Sequence, residues 1–130
     1  MSVAAVKVKV KKSHEGKRAR VVEFLVDSGA VYSLVSSTTL RALGIRPHRK
    51  RDFFLADGSK VTREIGDAFF EYKDTGGAAP VIFGEKKDRN LLGVTTLEAL
   101  ELVLDPFNRE FRPMTMNLMG YAAGTKRRTT

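Results

Sequence analysis

The chain has 130 residues, enough for one domain with one modest core. It has no cysteine, which excludes disulfides, thiolate metal sites and a cysteine nucleophile, and no run of about 18 apolar residues that would span a membrane. The net charge of +8, from 23 basic and 15 acidic residues, favours acidic partners and keeps nucleic acid in view as a minor alternative.

The N-terminal MSVAAVKVKVKK alternates apolar and basic residues. That predicts a half-buried strand with a solvated lysine face, and no cleavable leader, so a cytoplasmic protein is expected. SHEGKR is a turn. Residues 19–27 are a strand too apolar for one-sided burial, hence central, and it ends on Asp27 followed by Ser28, Gly29 and Ala30. A carboxylate behind Val21, Val22, Phe24, Leu25 and Val26 is either an Asx turn closing a strand or a group that does chemistry, because burying it unpaired is costly. SSTTLRALGI predicts a short helix with Ser37 or Thr38 as N-cap, Leu40 and Leu43 inward and Gly44 past its end. RPHRKR is a basic connector; its Arg46, His48, Arg49, Lys50 and Arg51 could hold acidic substrates or nucleic acid, with a solvated loop as the plainer reading.

FFLADGSKVTREIG places Asp57-Gly58 between two strand-like runs, a hairpin signal. AFFEY is a strand, KDTGGAAP a turn, VIF a strand and GEKKDRN a polar loop. LLGVTTLEALEL is a strand end, Leu91, Leu92 and Gly93, running into a helix on which Thr95 and Glu98 have capping-box spacing. LVLDPFNREFRPM predicts two last strands around a turn at Pro106–Arg109. TTLRALGI at 38–45 echoes TTLEALEL at 95–102, a shift of 57 that predicts two half-units, each a strand feeding a helix.

The ordered set of apolar strand, DSGA, short helix, hairpin, LLG and helix resembles the retropepsin-type (retroviral-like) aspartic proteases over roughly residues 5–114. The resemblance implies a mostly β fold, a small closed barrel of the acid-protease type with one or two short helices, working as a two-fold homodimer. It implies Asp27 as the catalytic residue and Ser28, Gly29 and Ala30 as its supporting loop. It makes Leu91, Leu92 and Gly93 the strand beside the signature, and Ala56, Asp57, Gly58 and Ser59 the tip of a flap spanning Phe53 to Arg63. The implied chemistry is peptide hydrolysis by water activated between two carboxylates that share one proton. No metal or cofactor is called for, and His14 and His48 lie in polar, basic stretches without ligand spacing.

A second literal signature, Asp74-Thr75-Gly76, follows EYK rather than an apolar run and lies only 17 residues before Leu91, against 64 for Asp27. It predicts a hairpin turn, so the second carboxylate is expected from Asp27 of another copy. Val31 and Tyr32 stand where viral members carry acidic residues, and Val94 stands where they have Arg before Asp or Asn after the Leu-Leu-Gly segment. Those departures imply a cellular, prokaryotic branch. Residues 1–116 form the expected domain and 117–130 a flexible basic tail. The competing expectation is a catalytically idle homodimeric β-module of the same fold that binds an acidic partner or nucleic acid.

Overall fold

A computed structural model describes residues 4–105, 107–108 and 110–115. The expected tail at 117–130 lies outside these residues. The chain is mostly β with two short helices. In order it forms β1 (Ala5–Lys11), β2 (Ala19–Val26), β3 (Ser33–Ser36), α1 (Ser37–Ala42), β4 (Arg49–Phe54) and β5 (Lys60–Tyr72). There follow β6 (Thr75–Gly84), β7 (Leu91–Leu92), α2 (Val94–Ala99), β8 (Leu102–Asp105) and β9 (Glu110–Pro113).

Seven strands hydrogen-bond in the order β1-β2-β7-β3-β6-β5-β4, and β1 also pairs with β5 through Lys9–Lys11, so the ladder returns to its first strand. β8 and β9 make a separate two-stranded sheet. The enclosed core holds Val8, Val10, Val22, Phe24, Val26, Val35, Phe70, Val81, Phe83 and Leu92. Leu40 of α1 and Leu97 of α2 pack into it, as does Leu100 just beyond α2. Phe24 and Phe70 meet across it with ring centroids 6.3 Å apart.

The echo at a shift of 57 appears in the strand register. β2 runs parallel to β7 with Leu25 opposite Leu91 and Val26 opposite Leu92; β6 runs parallel to β3 with Ile82 opposite Leu34 and Phe83 opposite Val35. Adding or subtracting 57 turns one set of pairs into the other. Leu34 and Leu91, which exchange under that shift, face each other on β3 and β7. Each half therefore sends a short strand into a helix: β3 into α1 and β7 into α2.

Several local expectations change. β2 is central, between β1 and β7, yet it alternates: Val22, Phe24 and Val26 are buried while Val21 is 65% exposed. Only one face of β2 meets the core, so apolarity overstated its burial. The N-cap of α1 is Ser36, not Ser37 or Thr38, and its side chain makes no cap hydrogen bond. The Thr95–Glu98 capping box does not form, because α2 starts at Val94 behind Gly93. Those helix starts are satisfied instead by contacts from distant chain. The basic connector ends at His48, and Arg49–Arg51 belong to β4. KDTGGAAP is mostly strand: Tyr72 pairs with Thr75, leaving Lys73-Asp74 as a two-residue turn, with Lys73 at φ 56°. Leu40 and Leu43 do point inward, and Gly44 follows α1 at φ +82°.

Candidate active site

β2 delivers Asp27 to the point where its strand leaves the sheet. The Asp27 N–H donates to the Leu92 carbonyl at 3.0 Å, continuing the parallel ladder by one residue. The chain then turns sharply. The Ala30 N–H donates to the Asp27 carbonyl at 3.1 Å, and the Gly29 N–H donates to Asp27 Oδ1 at 2.9 Å. The Asx turn considered for the sequence is thus present. It occupies one carboxylate oxygen, and the Asp27 side chain makes no other hydrogen bond among the described residues. Asp27 is half-buried; Ser28 and Gly29 are exposed. A Cβ on Gly29 would sit 3.3 Å from Asp27 Oδ1, so the turn favours a residue without one.

The loop is clamped from the far half of the chain. The Ala30 and Val31 carbonyls accept the N–H groups of Val94 (2.8 Å) and Thr95 (2.9 Å), which the first turn of α2 leaves without helical partners. Gly93 packs so closely that a Cβ there would lie 2.6 Å from the Tyr32 carbonyl carbon and oxygen. The Gly93 N–H donates to Ser33 Oγ at 2.9 Å, and Ser33 shares a second hydrogen bond with the Thr96 hydroxyl; both side chains are fully buried. The shift of 57 repeats this contact in the other half, where the Ser36 N–H donates to Asn90 Oδ1 at 3.0 Å. It also sets Gly84 at the position corresponding to Asp27. The internal repeat therefore supplies one carboxylate per chain at this crossing.

The hairpin of β4 and β5 pairs from Arg49 with Ile65 to Phe54 with Lys60. At its tip the Leu55 N–H donates to the Ser59 carbonyl, Gly58 adopts φ +87°, and Asp57 Oδ1 accepts both the N–H and the hydroxyl of Ser59. Those two bonds, the hydroxyl first, hold the Asp57 carboxyl below its usual range. Ala56, Asp57, Gly58 and Ser59 are all exposed. The paired hairpin is longer than the predicted flap, because β4 begins at Arg49.

Between the loop and the hairpin stem lies a cleft of about 470 Å³, lined by Gly29 to Tyr32, Arg51 to Phe54, and Ile82. Asp27 and Ser28 are not among its lining residues, and neither is the hairpin tip. Leu91, Leu92 and Gly93 lie behind the loop as its backing. Where the hairpin leaves the sheet, Arg63 is fastened to the loop before β7: its Nε donates to Asp88 Oδ2 at 2.9 Å and its Nη2 to Oδ1 at 3.3 Å. The Glu85 N–H also donates to Asp88, and the Arg63 bond above all holds the Asp88 carboxyl below its usual range.

The sequence pointed to Arg51 through its basic cluster and to Phe53 as the start of the flap; it did not find Tyr32 and Ile82 as cleft residues, nor the Ser33–Thr96 and Arg63–Asp88 pairs. The period-two pattern of RKRDFF carried a usable signal for Arg51 and Phe53. Asp74 is exposed in the β5–β6 turn, where it lines a different surface hollow with His14, Phe69 and Thr75. His14 packs edge-on against Phe69, and His48 lies 3.2 Å from Asp67. No helix among the described residues is long and apolar enough to cross a membrane.

No family model matches the sequence, and no curated protein matches it. Among solved structures the chain is similar to one titled as the crystal structure of a retropepsin-like aspartic protease from Rickettsia conorii. The identity is 20%, over 78% of this chain and 84% of that one, with a TM-score of 0.44. At that identity and score the likeness assigns neither residues nor an activity to this chain.

Proposed function

We propose that the protein is an aspartic endopeptidase whose active site is completed by two copies of the chain, each giving Asp27 to a carboxylate pair. The observation that carries this reading is the clamped loop. Asp27 is held by its backbone to Leu92, with one carboxylate oxygen fixed by the Gly29 N–H, at the start of the loop whose Gly29 to Tyr32 form one wall of a cleft against the hairpin stem. Such rigidity suits a group that must present an oxygen to water in a fixed direction. The corresponding position in the other half is Gly84, so a pair needs a second chain, related by a two-fold axis. One carboxylate accepts the proton of the attacking water; the other, protonated, hydrogen-bonds the scissile carbonyl. The hairpin closes over the peptide and limits water in the site. Ser28, exposed beside Asp27, is available to bond across the axis.

The test is turnover of an unstructured protein substrate by wild type, Asp27→Asn and Asp74→Asn, each checked for folding by circular dichroism. Asp27→Asn lowers the rate by about 10²- to 10⁴-fold, the range for loss of a general acid–base group. Asp74→Asn leaves it unchanged. Equal loss from both substitutions in folded protein rejects the assignment. Absence of turnover by wild type, together with salt-sensitive binding of random DNA, favours the idle β-module instead.

A further inference from the structure

The two faces of the β4–β5 hairpin differ in charge. Residues directly opposite on antiparallel strands share a face, so Arg49, Arg51 and Phe53 lie with Ile65, Arg63 and Val61 on one side. Ile65 is fully buried, and Arg49 Nη2 comes within 3.5 Å of the Tyr32 hydroxyl, so this side faces the loop and the cleft. Lys50, Asp52 and Phe54 lie on the outer side with Glu64, Thr62 and Lys60.

The charges on the inner side are not balanced. Arg63 is neutralised by Asp88, with Glu85 3.8 Å from it. Arg49 and Arg51 form no ion pair among the described residues. The one carboxylate in the cleft lining, Asp52, is turned to the outer side, where it accepts the Thr62 hydroxyl at 2.6 Å and lies 3.6 Å from Lys60. Asp27 begins the loop but does not line the cleft. The other side chains of the lining are apolar or aromatic: Ala30, Val31, Tyr32, Phe53, Ile82 and, from the hairpin's edge, Phe54. Val31 is 66% exposed, a large apolar surface in the same cleft lining as the Arg51 guanidinium.

We infer that this cleft selects peptides in which an acidic side chain neighbours a large apolar one, Arg51 binding the carboxylate while Val31, Phe53 and Ile82 cover the apolar group. The inference rests on the peptidase reading for the nature of the ligand, an extended peptide. It concerns the specificity of that site rather than its chemistry. A guanidinium presents a planar fork that matches a carboxylate bidentately, and the apolar wall beside it lowers the competition from water.

Binding by Asp27→Asn protein separates specificity from turnover. The probes are fluorescein-labelled peptides SGEFFEGS and SGKFFKGS, followed by anisotropy at physiological salt. The acidic peptide binds about tenfold or more tightly than the lysine one, the scale of one charge-assisted contact. Adding Arg51→Glu reverses the preference, and Arg51→Gln removes it without reversal. Lys50→Glu, on the outer side of the same strand, controls for overall charge and leaves the preference in place. Equal affinities for the two peptides, no binding of either, or equal effects of Lys50→Glu and Arg51→Glu would overturn the inference. Cleavage by wild type without an Arg51-dependent preference rejects the specificity and leaves the peptidase. Arg51-dependent binding without cleavage supports the specificity and rejects the peptidase.

Discussion

Replacing Ser33 by Ala removes a hydroxyl that nothing else in the buried crossing can replace. Ser33 Oγ accepts the Gly93 N–H and is bonded to the Thr96 hydroxyl, and both Ser33 and Thr96 are 0% exposed. Alanine leaves a backbone donor and a hydroxyl without partners in a place water does not reach. An orphaned buried polar group costs about 1–3 kcal/mol, so Ser33→Ala, which leaves two, should lose about 2–6 kcal/mol in all. Thr96→Val keeps the shape and leaves Ser33 to accept from Gly93; losing one hydrogen bond costs about 1 kcal/mol. In the double variant the Thr96 hydroxyl is gone as well, so only the Gly93 N–H stays orphaned. The double loss should therefore be about 1–3 kcal/mol and fall short of the sum by about 2 kcal/mol or more, in the upper part of the range seen for residues in contact. Urea unfolding at pH 7 measures all three, provided the slopes match wild type. Strictly additive losses, or a Ser33→Ala cost below about 0.5 kcal/mol, would show that the pair does not hold Gly93 against the Asp27 loop.

Three further outcomes are expected. Gly93→Ala drives a Cβ to 2.6 Å from the Tyr32 backbone, so it should destabilise by about 1–3 kcal/mol, the cost of overpacking; it should also depress turnover more than an equally destabilising core change such as Val35→Ala, and a loss of activity no greater than that control's would detach Gly93 from the site. The Asp88 carboxyl is held below its ordinary value of 3.8, chiefly by Arg63. Its contribution is thus complete well above 3.8 and fades as pH falls through the lower folded-state value, so the stability gap between wild type and Asp88→Asn should be constant from about pH 7 to 5 and narrow progressively in more acid solution; a gap that widens in acid refutes the pairing. If each site needs two chains, activity at low concentration rises with the square of protein concentration, and sedimentation at the same concentrations shows monomer and dimer; full specific activity in a strictly monomeric species refutes the shared site.

Much of this was written locally. The Val–Lys alternation of β1, the Asp57-Gly58 turn of the hairpin, Leu40 and Leu43 of α1 and Gly44 after it follow from patterns a few residues wide, because strand pleat, helix turn and positive φ are properties of neighbouring residues. The echo at a shift of 57 could be read from two helices alone, and the strand register follows the same shift. What one strand does to another was not legible. That β2 lies beside β7 across 64 residues, that β1 also reaches β5, and that Val21 faces outward while Val22 faces in depend on which partner covers which face. The helix starts make the same point. Sequence offered local caps, Ser37 or Thr38 and the Thr95–Glu98 box, but the Ser36 N–H is taken by Asn90, the Gly93 N–H by Ser33, and the Val94 and Thr95 N–H groups by the Asp27 loop. Each of these bonds joins residues that are remote in the chain. The aspartate and its glycine were visible in the sequence; the backing that fixes them, and the arginine-lined cleft beside them, came only from bringing the two halves together.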